Sequence, residues 1–345
     1  MGRISEISPQ EALDDVRDIP VLYIVAPCYN EEEVVEHSAQ LLKDKMLRLT
    51  SEGKIKKGSK IVFVNDGSKD KTLRLLHEIA ATDPIFSVIS LSGNYGHQSA
   101  ILSGMMVSRA YADVVVTIDV DLQQDIEALD RFLEKYMEGC EVVYGVRNNR
   151  DTDGAFKKGT ALFYYKLMHL LGAKVITNHA DYRLMSKKAL DALSEYKESN
   201  LFLRGLIPTM GFPSDVVYFD VKAREAGSSK YTLKKMLTLA VDGITSMSAV
   251  PLRIIGGIGF LVFIFSLVMI VISLVDFANG RNVAGYTTTV TTNLFIGGVT
   301  LLSLGIIGEY LGKMYMEVKH RPRYLIDSFV WREDSEVKSE SKEND

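Results

Sequence analysis

Along the first 150 residues the apolar positions fall in short blocks. Residues 21–27, 60–64, 86–91, 114–118 and 141–146 are runs dominated by β-branched and other apolar side chains, the composition of strands buried on both faces of a sheet. Between them lie longer segments of mixed polarity, from Glu33 to about Thr50, after Thr72, and from Gln98 to Tyr111, with the length of covering helices. Strands alternating with helices at this spacing predict an α/β domain over 21–230 with a doubly wound, mostly parallel sheet. Residues 1–20 are polar, carry Pro9 and Pro20, and read as a leader.

The pattern changes after Arg147. Residues 148–155 are a polar loop, and Phe156, Lys157 and Lys158 open an aromatic helix through Phe163, Tyr164, Tyr165 and Leu171. This stretch and residues 200–208, which mix Phe202 and Arg204 with aliphatics, suit either a soluble core or the grip on a lipid at a membrane interface. From Tyr231, Leu233, Met236, Leu237, Ala240, Val241, Ile244 and Met247 recur at helical spacing, which predicts an amphipathic helix over 231–250 lying on a membrane. Between Arg253 and Asp276 stand 22 uncharged residues, and a second uncharged run, 282–308, opens a span over about 291–311. Each is long enough to cross a hydrocarbon core of about 30 Å, so 251–316 reads as a two-helix transmembrane domain. The connection carries only Asp276 and Arg281, whereas Lys234, Lys235 and Arg253 flank the first span and Lys313, Lys319, Arg321 and Arg323 follow the second. That asymmetry predicts cytoplasmic termini and a cytoplasmic site. The expectation for 317–345 is a basic cytoplasmic segment and, from 332, a disordered charged tail.

Composition narrows the function classes. A chain of 345 residues holds one enzymatic domain and something smaller. Its net charge of −4 argues against nucleic acid as a partner. Cys28 and Cys140 are its two cysteines, outside any CxxC spacing, which fits a reduced cytosolic setting and argues against zinc. No signal-peptide order of basic, apolar and small residues opens the chain.

Chemistry is concentrated where the strands end. No GxGxxG or GxxxxGK[ST] follows any strand, so the common phosphate cradles are absent. Glu31, Asp66, Asp119 and Asp121 stand there instead. Ligands of open α/β sheets bind beyond the carboxyl ends of the strands, which places these acids in a cleft. On an extended segment Asp119, Asp121 and Gln123 would point one way and converge on a hard cation, Mg²⁺ or Mn²⁺, that in turn carries a nucleoside diphosphate. The plainer alternative is a solvated loop with Asp125 as a helix N-cap; after the second strand Gly67 serves the turn and Ser68 or Asp70 would cap.

Four ordered segments carry a resemblance: Ala26-Pro27-Cys28-Tyr29-Asn30-Glu31-Glu32, Val64-Asn65-Asp66-Gly67-Ser68-Lys69-Asp70-Lys71-Thr72, Asp119-Val120-Asp121-Leu122-Gln123 and Asp181-Tyr182-Arg183-Leu184-Met185-Ser186. Together they resemble family 2 glycosyltransferases of the nucleotide-diphospho-sugar (GT-A) fold. More narrowly they are similar to the polyprenyl-phosphate branch, which includes dolichyl-phosphate mannose synthase and bacterial undecaprenyl-phosphate glucosyltransferases. The resemblance runs from about Val21 to Glu317. It implies that Pro27, Tyr29 and Glu31 receive the nucleoside with Asn94 and Val120 beside it, that Asp66 holds the base, and that Asp119, Asp121 and Gln123 hold metal and diphosphate. It further implies a phosphate-contacting loop with Arg224, Ser229 and Lys230. One departure is Gly93, where many relatives carry Arg.

The reaction so implied is inverting transfer of a sugar, glucose first and N-acetylglucosamine, galactose or mannose as alternatives, from a UDP-sugar to polyprenyl phosphate at a bacterial cell membrane. Asp121, Arg147 and Asp181 are the expected catalytic residues, with Asp181 the best candidate base. Arg147, Lys158, Arg224 and Lys230 would neutralise the two anions, and relatives imply a homo-tetramer. Two rivals remain. A processive polysaccharide synthase would need more spans and a Gln-x-x-Arg-Trp motif, absent here, where the single tryptophan, Trp331, stands in the tail. A catalytically dead scaffold that binds nucleotide would not need acids at every strand end.

Overall fold

The structure is a computed structural model that describes residues 17–148, 179–198, 202–220 and 286–331, together with positions 252, 254–262, 264, 265 and 268. Four parallel strands lie side by side at its centre: β4 (Val114–Thr117), β1 (Leu22–Cys28), β2 (Lys60–Asn65) and β3 (Phe86–Leu91). Every residue of the four is buried, as their unbroken apolar runs require. Helices α1 (Val35–Ser51), α2 (Thr72–Thr82) and α4 (Ala128–Met137) cover one face. Helix α3 (His97–Ser108) covers the other, joined by α5 (Lys187–Glu195) and α6 (Leu203–Thr209). Alternate β1 side chains divide between the two cores, Leu22 and Ile24 to one, Tyr23 and Val25 to the other. Full burial of each contributes roughly 2 kcal/mol. Helix α3 lies so near the sheet that a side-chain carbon at Gly104 would collide with Val25 and Val64, and this close seat fixes the helix end that carries His97.

The sheet is mostly parallel, as expected, but its order beyond β4 needs correction. Strand β5 (Val142–Arg147) is not its neighbour; β6 (His179–Ser186) lies between them, antiparallel to both, and β7 (Ser214–Phe219) runs parallel to β5 outside it. The sheet is therefore mixed, in the order β7-β5-β6-β4-β1-β2-β3-β8. Strand β6 can stand in the middle while carrying Asp181 and Arg183 because the two charges pair with each other there.

The far edge also departs from expectation. Helix α7 (Tyr286–Val318) is followed by a turn and then by β8 (Ile326–Val330), which pairs antiparallel with β3 through Ile89↔Phe329 and Ser90↔Ser328. Residues read as the approach to a loose tail thus complete the sheet. Trp331 packs its ring on Tyr111 and Tyr23, with centroids 4.7 and 5.7 Å apart.

Among the described residues one helical stretch, Phe295–Val318, is long and apolar enough to cross a membrane. It leaves Leu301, Leu302 and Leu304 exposed. The first expected span is described only in part, with 254–262 helical and Phe260 and Leu261 exposed. The leader up to residue 16, the 156–171 helix, the 222–250 segment and the tail from 332 lie outside the described residues.

Candidate active site

A cavity of about 430 Å³ opens beyond the carboxyl ends of β1, β2, β4 and β5. It gathers all the expected site residues that the structure describes: Pro27, Tyr29, Glu31, Asp66, Asn94, Asp119, Val120, Asp121, Gln123, Arg147 and Asp181. Lys158, Arg224, Ser229 and Lys230 lie outside the described residues.

The first wall is two interlocked loops. Asn30 turns with a positive φ of 56°, and its N–H donates to Ser68 Oγ at 3.1 Å while its side-chain oxygen accepts from the Lys69 N–H at 2.8 Å. The Glu31 N–H donates to Thr72 Oγ1 at 2.8 Å. Tyr29 is left 42% exposed at the mouth, free to face a flat ligand. Neither expected cap takes the cap position of α2, which is Lys71; Asp70 stands one residue before it and accepts from the Thr72 N–H at 3.0 Å. Asp66 is buried, and its two oxygens accept the Tyr95 and Gly96 N–H groups at 2.7 and 3.0 Å. Burial nevertheless pushes its carboxyl above the usual range, outweighing those two bonds. Gly67, at φ +64°, lets this loop touch the backbone of Gly93 and Asn94, where a Cβ would clash.

The acid motif is not the extended segment the alternation predicts. Strand β4 ends at Thr117, and the chain then turns, with Leu122 at φ +46° and its N–H donating to Asp119 O at 3.1 Å. Asp119, Asp121 and Gln123 reach the same cleft from a turn instead of from one strand face. Two buried contacts fix that turn. Val120 O accepts from Ser38 Oγ at 2.5 Å. Gln124, 1% exposed, clamps Asp119 at both ends, donating to Oδ2 and accepting from its N–H at 3.1 Å. Asp119 Oδ1 is buried and accepts no hydrogen bond. Asp125 bonds the Glu127 N–H at 3.2 Å, and the cap position of α4 is Glu127, so the predicted cap lies two residues early.

Opposite stands Asp181, 5% exposed. Arg204 approaches it in bidentate fashion, Nε to Oδ1 at 3.1 Å and Nη2 to Oδ2 at 2.8 Å, and Arg183 Nη2 donates to Oδ1 at 2.5 Å. Burial alone would raise this carboxyl. Arg204, His97 and Arg183 overturn that and hold it well below the usual carboxylate range. Such a group is a poor proton acceptor at neutral pH, which weighs against Asp181 as a base. His97 Nε2 lies 3.4 Å from Asp119 Oδ1 and 3.5 Å from Asp181 Oδ2. Desolvation in the cleft opposes its charge, but the two carboxylates raise its pKa overall.

His97 and Arg204 are the cleft residues that sequence reasoning missed as site residues. Helix α3 positions both: His97 is its first residue, and Gln98 Oε1 accepts the Leu203 N–H at 2.8 Å, tying down the start of α6. The signal available was faint, a histidine closing the 92–97 loop and an arginine in a stretch assigned to lipid. Among the described residues no three His, Cys, Asp or Glu side chains form a metal cluster. An ion here would rest on two carboxylates, the Gln123 amide oxygen and its own further ligands.

Comparison with known proteins agrees with this geometry. Residues 23–194 match Glycosyl transferase family 2, and residues 250–314 match the GtrB C-terminal hairpin. The chain is 46% identical over 314 residues to the uncharacterized glycosyltransferase YkoT of Bacillus subtilis, covering 91% of this chain and 93% of that one. It is 38% identical over 310 residues to the bactoprenol glucosyl transferase of Shigella phage SfX, covering 88% and 98%.

Proposed function

Because the chain belongs to glycosyl transferase family 2, in the polyprenyl-phosphate branch, we propose that it moves glucose from UDP-glucose to a polyprenyl phosphate, with inversion, at the cytoplasmic face of a bacterial membrane. The observation that carries this reading is the cleft itself, with Asp119, Asp121 and Gln123 on one side and the Asp181–Arg204 pair on the other.

The donor set fits a hard cation. Asp119 Oδ1 is a buried oxygen without a hydrogen bond, its partner oxygen is clamped by Gln124, and Asp121 and Gln123 add oxygen donors at the same wall. Oxygen ligands with positions left for water and phosphate suit Mg²⁺ or Mn²⁺. When bound, the ion would offset the charge of the departing diphosphate.

The chain's own residues have three tasks. Tyr29, Glu31 and Asp66 receive the nucleoside. Arg204, aimed by Asp181, and Arg147 at the end of β5 put positive charge where two anionic substrates meet. The loop with Arg224, Ser229 and Lys230, and Lys158, would extend that cationic side toward the lipid. No strong base is needed, since a phosphomonoester with a second pKa of about 6 is already largely ionised at neutral pH. The enzyme's work is to hold its oxygen in line with the anomeric carbon.

Two membrane crossings are the reading that the return of the chain supports. Residues up to 220 and from 319 onward contribute strands to one sheet, so the number of crossings between them is even. With α7 as one, the apolar 254–275 segment is its natural partner, and the basic flanks favour a cytoplasmic domain. Two thin spans per subunit favour an oligomer, a tetramer by resemblance.

Mass spectrometry of the lipid product made from a panel of nucleotide sugars tests the assignment. A polyprenyl phosphate bearing one hexose, formed from UDP-glucose alone, is the expected outcome. Preference for UDP-N-acetylglucosamine, UDP-galactose or a mannose donor would change the sugar and keep the class, whereas no transfer from any donor would favour the scaffold.

A further inference from the structure

A second cavity, about 470 Å³, forms where the chain leaves α7 and returns to the catalytic domain. Its floor is apolar, made by Leu102 and Met106 of α3. Its rim carries three cations, Lys197 from the end of the α5 segment and Arg321 and Arg323 from the turn after Val318, with His320 beside them. Arg323 is half-buried and donates to Tyr196 O, which ties the turn to the domain. Among the described residues, the side chains of Lys197 and Arg321 take part in no hydrogen bond or ion pair, and the His320 N–H donates to Glu317 O at 3.1 Å. Glu198 and Glu317 act on Arg323 from outside the lining, so the rim keeps a positive balance.

Location gives this charge a meaning. On the reading that α7 spans the bilayer, residues 319–324 emerge at headgroup depth, where Tyr196 and Tyr324 also line the opening. An apolar floor beneath Lys197, Arg321 and the tethered Arg323 matches one ligand chemistry: a phosphate with a hydrocarbon chain behind it. Basic groups at that level attract anionic lipid. We propose that this cavity binds the phosphate headgroup of an anionic lipid of the cytoplasmic leaflet, apart from the catalytic cleft. Occupancy would seat the domain at a fixed height on the bilayer.

The test uses the full chain in detergent, titrated with phosphatidylglycerol and, in separate arms, phosphatidylcholine and polyprenyl phosphate, with retained lipid read by native mass spectrometry. Lys197→Gln/Arg321→Gln is compared with Lys56→Gln/Lys57→Gln, an equal change of charge on an exposed loop outside the cavity. Wild type and the control pair should retain phosphatidylglycerol and release phosphatidylcholine, and the cavity pair should bind phosphatidylglycerol on the order of tenfold or more weakly, with transfer to a short-chain acceptor unchanged. Loss of polyprenyl phosphate retention alone in the cavity pair would name that lipid as the source of the same phosphate chemistry. Equal retention of phosphatidylglycerol by all three proteins, or a changed subunit number with lipid binding intact, would overturn the proposal. In a parallel flotation assay with phosphatidylglycerol vesicles, failure of the wild type to associate would instead remove the membrane reading beneath it.

Discussion

Replacing Asp181 by Asn changes one oxygen to nitrogen and strands a charge. Arg183 is fully buried, donates to Asp181 through Nη2, and has no partner for Nε or Nη1. Arg204 is 37% exposed and can turn to water when the carboxylate is gone. The cost therefore falls on Arg183, and removing one partner of a buried pair typically costs about 3–5 kcal/mol. At roughly 2–4 °C per kcal/mol for a domain of this size, the apparent melting temperature should fall by on the order of 10 °C. Scanning fluorimetry of the full chain in detergent measures this, and Arg183→Met added to Asp181→Asn should recover part of the loss. The pH dependence has a definite sign. The folded-state pKa of Asp181 is depressed, so its contribution is present above the unfolded value near 3.9 and is lost as pH falls through the folded one. The gap between wild type and variant should thus be constant from pH 5 to 8. A gap below about 2 °C, or one that opens between pH 6 and 8 together with loss of the acidic limb of the rate profile, would refute the ion-pair role and restore Asp181 as a base.

Other perturbations separate the parts of the cleft. Asp121→Asn should abolish most transfer while leaving the melting temperature near wild type, because a neutral amide holds Mg²⁺ poorly; retained activity at saturating donor and metal would take Asp121 out of the reaction. Gln124→Ala frees the Asp119 carboxylate and should weaken Mn²⁺ binding by about 10–100-fold, the range for residues that orient metal ligands. Titration of Mn²⁺ by electron paramagnetic resonance reads this directly, and unchanged affinity would deny the clamp its purpose. A cysteine at Thr288 should react with an impermeant thiol reagent on intact cells, whereas one at Ser328 on β8 should stay protected; the reverse pattern would put the cleft on the outer face.

The sequence made the first half of the domain readable because β1 to β4 are buried on both faces and show as unbroken apolar runs. The acids at their ends could be found for the same reason, since strand ends define the cleft. Strand β6 hid in a motif: Asp181 and Arg183 look like surface residues until their mutual pairing is seen. Arg204 and His97 were invisible as partners because their contacts with Asp181 span 23 and 84 positions and no local periodicity records such pairs. Strand β8 is five residues, mostly exposed, and followed by a charged tail, so nothing in its own pattern announces a sheet edge. The turn at Leu122 defeated the alternation argument, because a period of two holds only while the chain stays extended.

The pairing of β8 with β3 sets an order of events during synthesis. Strand β3 is complete by residue 91, but its neighbour at the sheet edge is translated more than two hundred residues later, after the apolar helix that ends at Val318. Until then β3 presents open N–H and C=O groups, the kind of edge on which unfinished chains stick to one another. On the proposed reading that α7 crosses the bilayer, it would enter the membrane first, and its anchoring would bring residues 326–330 back beside the waiting strand. A chain released at residue 320 should keep its apolar helices and most of its core yet aggregate through β3. In this protein insertion into the bilayer would act as a folding step for the soluble domain.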